Sequence, residues 1–519
     1  MKKLLSLTLL AIVGCGTNHK MADTKAPKNL DPVPYGNTIT EAELKTHLYT
    51  YASDEFEGRD TGEPGQKKAV AYLRDEYKSL NIPAAQKDGN YFQNVPLQKG
   101  SNLDASLTLK EQEFKFEDDF LSFSAQENGT ISFSDIIYLG YGIDDEKYSD
   151  YTNQDVEGKI LLFKMGEPVN ADGTFVISGT EESSKWGGAR QGTSAKIKAA
   201  KEHKAKGVFF YVGDMFPRYK MQLSFMKKNS RVGLKSKETP FFYYLINEKL
   251  ATSMHPNIAT DSKPSIITVN ASLTNKDQVN DVNSENVVAF IKGVEKPEEY
   301  VIISAHLDHI GFQNGEVCNG ADDDGSGTVA ILEIAEAFKQ AEKDGNGPKR
   351  SVVFLHVTGE EKGLLGSRYY TDVNPIFPLE NTVSNLNIDM IGRIDPKRTV
   401  GDRNYVYLIG SDKLSTELHN ISEEVNKKYA NVELDYTYNG ENDPNRYYYR
   451  SDHYNFAKND IPVIFYFNGT HDDYHRPSDT PDKINYDLLT NRARLIFYTA
   501  WELANREERI TVDKPTKTK

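Results

Sequence analysis

The feature that most constrains this fold is a repeated order of strand, loop and helix that begins near residue 286. Apolar runs rich in β-branched and aromatic residues, typical of buried strands, alternate there with segments whose apolar residues recur at helical spacing. The runs are NVVAFIKG, EYVIISAH, RSVVFLHVTG, TVSNLNIDMIG and IPVIFYFNGT, and the helical segments include GTVAILEIAEAFKQAEK and LLTNRARLIFYTAWELAN. This alternation predicts an α/β fold with a mostly parallel sheet covered by helices on both faces. In open sheets of this kind, ligands bind beyond the carboxyl ends of the strands.

The rest of the 519 residues divides into segments of different character. Such a length exceeds that of one ordinary domain, so one large unit carrying an insert is expected. Two helices around a Gly-rich break, followed by alternating strands, predict the first part of the main domain over residues 41–125. Residues 126–275 read as a smaller α/β unit, and the polar stretch 275–286 reads as a linker. The second part of the main domain spans 276–508, and residues 509–519 are predicted to be disordered.

The amino-terminal residues are typical of a targeting signal. A basic start, MKK, precedes the apolar run LLSLTLLAIVGC, which is shorter than the ~20 residues of a membrane-spanning helix and fits a secretory signal over residues 1–15. The end of this run resembles the bacterial lipoprotein signal box, which implies cleavage before Cys15 and a lipid on its thiol. The alternative is an ordinary signal peptide with an unrelated cysteine. Residues 16–40 are predicted to be a polar tether, so the protein is expected in the bacterial cell envelope, anchored to the membrane and facing the periplasm or the cell surface.

The charge of the chain bears on its partners. With 76 acidic and 62 basic residues, the formal net charge is -14. Nucleic-acid binding depends on clustered Lys and Arg, so nucleic acid is not an expected partner. A cationic group, such as the free amino terminus of a peptide, suits this chain better.

Metal-type side chains follow four of the predicted strands. Each alone has an ordinary explanation: an acidic triplet before a helix can be a cap, and a strand-end histidine can be a hydrogen-bonded polar residue. Together, they would crowd like charges at one sheet edge, which is costly unless cations neutralise them. The sequence therefore predicts a metal site formed from His306 with Asp308, the turn Asp322, Asp323 and Asp324, then Glu360, Glu361, Asp389 and His475.

The ligand types narrow the choice of metal. Imidazole and carboxylate without a thiolate set fit Zn²⁺ best, although Mn²⁺ and Co²⁺ are also compatible. The number of acids and histidines suits two ions ~3.5–4 Å apart that share a bridging carboxylate. Neither HExxH nor G-x-S-x-G occurs, which disfavours a one-zinc thermolysin-like site and a serine hydrolase.

Five stretches between residues 300 and 487 resemble the co-catalytic dizinc peptidases, a family that includes bacterial secreted aminopeptidases, glutamate carboxypeptidase II and the transferrin receptor. They are SAHLDHIG, NGADDDGSGTVAILEIA, TGEEKGLLGS, NIDMIG and YHRPSDTPDKIN. The resemblance implies a three-layer zinc-peptidase domain with a central mixed, mostly parallel sheet and two Zn²⁺ per chain. It implies His306 and Asp389 on one zinc, Glu361 and His475 on the other, and Asp323 bridging both.

The same resemblance implies roles for three further residues. Glu360 corresponds to the general base, Asp308 to the carboxylate that orients His306, and Tyr474 to a residue that helps to bind the oxyanion. A water between two cations can lose its proton near neutral pH instead of near ~15.7, so Glu360 needs only to accept that proton and pass it to the leaving amine. A carboxylate on the far ring nitrogen of a ligating histidine is the usual means of fixing its tautomer.

These observations predict a zinc-dependent exopeptidase that acts on peptides, with an aminopeptidase favoured because acidic groups near the metals would hold a free amino group. No Arg cluster is evident at the strand ends, which disfavours binding of a substrate carboxylate. A carboxypeptidase remains the nearest alternative. A catalytically inactive, receptor-like binding protein and a one-zinc glutaminyl cyclase are less well matched, because the full ligand set and the base are present.

Several other residues near these motifs have an interpretation other than metal binding, or two alternative interpretations. His309 is interpreted as local packing and Cys318 as a wall residue, while His471 and Asp472 compete with His475 for the role of ligand. His453, next to Asp452, either lines the substrate side or is structural. Within the insert, YLGYGI and VEGKILLFKMG resemble a β-rich protease-associated domain, which implies a lid or selector, and the basic stretch RYKMQLSFMKKNSRVGLKSK is either a carboxylate-binding or a solvated face.

Overall fold

The structure is a computed structural model, and it describes residues 31–124, 126–228, 231–235 and 241–515. The predicted signal peptide, Cys15 and most of the predicted tether lie outside these residues. Within the described ranges, every helix is too short or too polar to span a lipid bilayer.

Helices and strands alternate along most of the chain. The helices are α1 (Val33–Gly36), α2 (Glu41–Tyr51), α3 (Pro64–Ser79), α4 (Gln191–Glu202), α5 (Phe216–Lys228), α6 (Glu248–Met254), α7 (Gly327–Lys343), α8 (Leu365–Arg368), α9 (Thr416–Val425), α10 (His453–Ala457) and α11 (Tyr486–Asn505). The strands are β1 (Phe92–Leu109), β2 (Gln112–Lys115), β3 (Phe120–Leu121), β4 (Gly129–Tyr138), β5 (Asp144–Asp145), β6 (Tyr148–Ser149), β7 (Ile160–Lys164), β8 (Gly207–Tyr211), β9 (Val232–Leu234), β10 (Phe242–Ile246), β11 (Ser265–Ile291), β12 (Lys296–His306), β13 (Phe312–Gln313), β14 (Glu316–Val317), β15 (Arg350–Val357), β16 (Thr382–Ile388), β17 (Tyr405–Ile409), β18 (Glu433–Asp435) and β19 (Val463–Phe467).

The main domain is built on a mixed sheet in the order β18-β17-β19-β16-β12-β15-β11. Strand β12 pairs in parallel with both β15 and β16, and β16 pairs in parallel with β19, so the centre of the sheet is parallel. Antiparallel pairings occur where β11 joins β15 and where β17 joins β19. The predicted mixed α/β fold is therefore confirmed, and the missed strands β17 and β18 extend the sheet at one edge.

Helices cover both faces of this sheet because its central strands are apolar on both sides. Along β12, Val301 and Ile303 face a core shared with α2, α3, α7 and α11. The alternate residues Tyr300 and Ile302 face a second core that includes Phe456 of α10. Successive strand residues point to opposite faces, so an uninterrupted apolar run requires cover on both.

A long antiparallel ribbon stands where the sequence predicts a linker. Strand β11 continues without a break through residues 275–286, and β1 pairs with it from Ala271 to Val287. Gln278, Asn280 and Asp281 are exposed, so polar side chains are tolerated there although the backbone is hydrogen-bonded to β1. The linker prediction is wrong, because both exposed polar residues and buried ones such as Asp277 and Ser284 occur in this continuous strand.

The middle unit contains the parallel strands β4, β7, β8 and β10, with β3 antiparallel at the edge. Helices α4, α5 and α6 belong to the same stretch of chain, so the unit is an α/β unit that contains more strand than helix. Its core includes Leu103 and Phe120, which precede the predicted boundary at residue 125. The chain leaves the main domain near residue 92, where β1 begins, and this corrects the predicted boundary.

Both predicted flexible ends are shorter than expected. Tyr35 is buried, and its ring stacks on Trp501 of α11 at 5.5 Å between centroids, so the fold begins before residue 40. At the other end, Ile510 is buried and the Lys514 backbone donates to the Leu414 carbonyl at 3.2 Å. The predicted disorder from residue 509 onward is therefore wrong for the part that the structure describes, up to residue 515.

Candidate metal centre

The predicted site residues meet at the carboxyl ends of four neighbouring strands. His306 is the last residue of β12, Asp389 follows β16 directly, and Glu360 and Glu361 follow β15 after a two-residue turn. His475 lies in the loop after β19. Parallel strands end at the same edge of a sheet, so side chains distant in sequence converge there.

The first group of metal-type side chains contains His306, Asp323 and Asp389. His306 Nε2 lies 3.2 Å from Asp323 Oδ1 and 3.6 Å from Asp389 Oδ1. The other ring nitrogen, Nδ1, is 3.0 Å from the backbone carbonyl of Asp308. A carbonyl can only accept, so Nδ1 carries a hydrogen, and Nε2 is the ring nitrogen that can bind an ion between the two carboxylates.

The second group of metal-type side chains, which includes His309, Glu361 and His475, lies on the other side of Asp323. His475 Nε2 is 3.1 Å from Asp323 Oδ2 and 3.0 Å from Glu361 Oε2. His309 Nδ1 is 3.0 Å from Glu361 Oε1 and 3.6 Å from Asp323 Oδ2. The two carboxylate oxygens of Asp323 thus face two different sets of donors.

The donor atoms fit divalent cations. His306 Nε2, His309 Nδ1 and His475 Nε2 are buried and make no hydrogen bond within the described residues, although each lies close to carboxylate oxygens. Two atoms bound to one ion at about 2.0–2.2 Å lie about 3–3.5 Å apart. The observed separations match a shared ion, and the donor types match zinc.

Electrostatic coupling within the centre is strong. Burial alone would raise the pKa of Asp323, but the imidazoles of His306, His309 and His475 hold it well below its usual range. Burial lowers the pKa of His475, yet Asp323 and Glu361 raise it to about 10. These carboxylates are therefore anionic at neutral pH and require positive charge beside them.

The carboxyl-terminal half of the chain also matches a known family. Residues 286–500, which contain every residue of both groups, match the family model described as "Peptidase family M28". This matched part of the chain, residues 286–500, is here called the M28 domain. The metallopeptidase family predicted from the five motifs is thereby confirmed, whereas the protease-associated insert remains a prediction.

Individual relatives are similar to part of the chain. A "Probable leucine aminopeptidase" of Arthroderma otae is 29% identical over 229 residues, which cover 42% of this chain and 57% of that protein. A "Probable glutamate carboxypeptidase LAMP1" of Arabidopsis thaliana is 35% identical over 105 residues, which cover 20% of this chain and 14% of that protein. The chain thus spans less than two thirds of the length of either relative. A solved zinc aminopeptidase from Bacillus subtilis is 19% identical, with a TM-score of 0.46 over 91% of this chain and 98% of that one, a score too low to support an argument.

Buried polar residues that sequence reasoning missed hold the carboxylates of the M28 domain in place. Ser451 Oγ donates to Asp389 Oδ2 at 2.6 Å and accepts from Asn387 Nδ2 at 2.9 Å. Asp479 accepts from the backbone nitrogens of Asp322 and Asp323 at 3.0 and 3.2 Å. Their partners are distant in sequence, so the only sequence signal is the RPSDTPDKI motif around Asp479.

Asp324, predicted as part of the metal site, instead holds the backbone around that site. Its carboxylate accepts from the backbone nitrogens of His306 at 3.2 Å, Gly327 at 3.0 Å and Met390 at 3.1 Å. It therefore joins the end of β12, the start of α7 and the loop after β16. The predicted interpretation of the acidic triplet as a helix cap holds for Asp324, while Asp323 faces the centre.

Asp308 supports the site differently from the prediction. Its carboxylate lies 4.0 Å from His306 Nδ1, and it is the backbone carbonyl of Asp308 that contacts this nitrogen at 3.0 Å. The carboxylate instead accepts from Thr61 Oγ1 at 2.7 Å and from the backbone nitrogen of Glu360 at 3.2 Å. Asp308 thus positions the loop that carries Glu360.

Glu360 and Tyr474 line one small cavity together with Asp323 and Asp389. The Tyr474 ring stacks on His475 at 3.9 Å between centroids. Burial raises the pKa of Glu360, and Glu361 and Asp389 act in the same direction against His306. The placement suits the predicted roles of Glu360 and Tyr474, which stay predictions.

The remaining histidines and Cys318 differ in whether they lie near the two metal-type groups. His309, which the sequence suggests is local packing, has its Nδ1 3.0 Å from Glu361 and 3.6 Å from Asp323. His471 Nε2 lies 3.2 Å from Asp322 and belongs to neither metal-type group, and Asp472 is exposed. His453 is buried and stacks on Phe465 at 4.6 Å, which favours the structural alternative. Cys318 is buried outside both groups, consistent with a wall residue.

Proposed function

We propose that this protein is a zinc-dependent exopeptidase, an aminopeptidase that removes the first residue from peptides and binds two zinc ions. The observation that carries the proposal is the orientation of Asp323, whose two oxygens face two separate sets of buried imidazole and carboxylate donors. Membership of residues 286–500 in peptidase family M28 supports the reaction class.

Zinc ions held by His306, Asp389, Glu361 and His475, with Asp323 shared, would supply Lewis-acid chemistry and lower the pKa of a bound water. Glu360 accepts a proton on its carboxylate and delivers it to the leaving amine. Asp308 holds the Glu360 backbone at 3.2 Å, which keeps the base over the cavity. Tyr474, in the same cavity wall, donates its hydroxyl hydrogen to the oxyanion that develops on the substrate carbonyl.

The substrate cavity favours a peptide amino terminus with an apolar first side chain. Its acidic members, Glu360 and Asp389, can pair with a free α-ammonium group. Its wall also contains Met390, Phe465 and Phe467, which provide an apolar surface.

One observation favours a carboxypeptidase as the second candidate. Arg450 lines the same cavity, with its guanidinium carbon 5.0 Å from the centre of the Tyr447 ring. No ion pair neutralises Arg450 within the described residues, so it could bind a substrate carboxylate.

Paired dipeptides separate these functions. We expect the zinc-loaded protein to hydrolyse C-blocked dipeptides with a free amino terminus and to leave N-blocked dipeptides intact. Hydrolysis of N-blocked dipeptides alone would replace the aminopeptidase by a carboxypeptidase. Absence of turnover on both, with zinc bound, would favour an inactive, receptor-like binding protein.

The same proposal includes the location of the protein and the role of its insert. A lipid on Cys15 would hold the enzyme at the bacterial membrane, and the Cys15→Ala variant is expected to move to the soluble fraction. The middle unit, as a protease-associated insert, would act as a lid or selector for peptides. Its strand β9 pairs with β1 in the ribbon, and β1 Lys99 and Arg231 line a cavity together with Glu361, which supports a position beside the substrate.

A further inference from the structure

We propose that His309 is a ligand of the centre and that its Nδ1 binds the same ion as Asp323, Glu361 and His475. This inference rests on the proposed zinc centre and adds a residue to it. The family resemblance implies two ligands of its own for each ion plus Asp323, and His309 is not among them.

The first observation is that the His309 ring is buried without a partner. Its side chain has no exposed surface, and neither Nδ1 nor Nε2 makes a hydrogen bond within the described residues. Buried polar atoms in folded proteins almost always have a partner, so an imidazole with two unpaired nitrogens requires an explanation. A bound ion supplies a partner for Nδ1.

The second observation is the geometry around Nδ1. Glu361 Oε1 lies 3.0 Å away, and this close contact does not meet the geometry of a hydrogen bond. Asp323 Oδ2 lies 3.6 Å from the same nitrogen. Donor atoms that share an ion approach one another in this way, because each lone pair points at the ion and not at its neighbour.

His475 Nε2 shows the same pattern with the same two carboxylates, at 3.0 and 3.1 Å. The rings of His309 and His475 lie edge to face, 5.6 Å apart between centroids. His309, Asp323 and Glu361 offer ligand atoms that all lie within 4.8 Å of one another, which is close enough for them to share one ion.

The chain around His309 is built to hold the ring in this position. The His309 backbone nitrogen donates to the Arg59 carbonyl at 3.2 Å. The buried Arg59 guanidinium donates to the carbonyls of Leu307, Asn319 and Gly320 at 3.1, 2.6 and 2.9 Å. A side chain at residue 320 would place Cβ 2.6 Å from the His309 ring, so glycine there makes room for the imidazole.

The test compares zinc binding by the wild-type protein, His309→Ala and the control His356→Gln. His356 is also buried, but its Nε2 pairs with Tyr77 at 2.7 Å and it belongs to neither metal-type group. Zinc affinity and stoichiometry would be measured by competition with a chelating dye, with circular dichroism to verify folding. We expect His309→Ala to weaken one of the two zinc ions at least about 10-fold while His356→Gln retains both.

Two zinc ions bound by His309→Ala with wild-type affinities would overturn the ligand role and leave the proposed function intact. Failure of the wild-type protein to bind zinc would instead refute the proposed function itself. If His309→Ala does not fold, a crystal structure of the zinc-loaded wild-type protein decides. We expect a distance of about 2.0–2.1 Å from His309 Nδ1 to zinc, and a distance beyond hydrogen-bonding range would reject the inference.

Discussion

Removal of the Ser451 hydroxyl tests the hydrogen bond that holds Asp389, one of the predicted metal ligands. Ser451 is buried, and its Oγ joins Asn387 Nδ2 to Asp389 Oδ2. Ser451→Ala leaves a buried amide donor and a carboxylate oxygen each without a partner, at a cost of about 1–3 kcal/mol per group. We therefore expect the free energy of unfolding of the metal-free protein to fall by about 2–4 kcal/mol, allowing for partial relaxation.

The same variant should weaken zinc binding, because Asp389 loses the contact that orients it. The loss of such an outer contact typically costs about 10–100-fold in metal affinity. Ser384→Ala is the matched control, since Ser384 is buried on the preceding strand and donates to the Pro462 carbonyl at 2.9 Å, away from the centre. Denaturant unfolding and zinc titration would be measured on both variants. Equal zinc affinities for Ser451→Ala and Ser384→Ala would refute the reasoning.

Three further variants test other parts of the site. Glu360→Gln should retain its zinc and slow hydrolysis of aminoacyl-anilides by about 10²–10⁴, the usual contribution of a general base, and unchanged turnover would reject that role. Arg450→Ala should change KM for peptides with a free amino terminus by less than about 3-fold, since an aminopeptidase needs no cation there; a large rise in KM would favour the carboxypeptidase. In the folded, metal-free protein the pKa of His475 is about 10, above its ordinary value of about 6.5. Protonation of His475 therefore stabilises the fold fully below about pH 6.5, and this stabilisation is lost as the pH rises through 10. Thermal melting from pH 6 to 10 without zinc should show this decline in the wild-type protein and a weaker one in His475→Ala.

The main sheet could be predicted because its strands are buried on both faces and therefore read as uninterrupted apolar runs. The metal-type side chains could be predicted with it, since parallel strands place their carboxyl ends at one edge. Strand β17, Tyr405–Ile409, was missed, although it is equally buried and helix α9 follows it. The ribbon of β1 and β11 was missed because its polar side chains resemble those of a linker.

The finer features of the centre depend on contacts that spacing does not reveal. His309 follows Asp308 by one residue, and only the path of the loop after β12 decides whether its ring faces the core or the metal-type groups. For Asp308, the sequence indicates a nearby acid but does not distinguish its carboxylate from its backbone carbonyl. Ser451 joins Asn387 to Asp389 across 64 and 62 positions of sequence, so nothing local marks it.

Zinc content tests the central claim most directly, namely that Asp323 joins two metal ions. Wild-type protein and Asp323→Ala would be saturated with zinc, dialysed and analysed by mass spectrometry of the metal. We expect two zinc ions per chain in the wild-type protein and fewer than one in Asp323→Ala, because both groups lose a shared ligand. A wild-type protein without zinc, or an Asp323→Ala variant that retains two ions, would contradict this account.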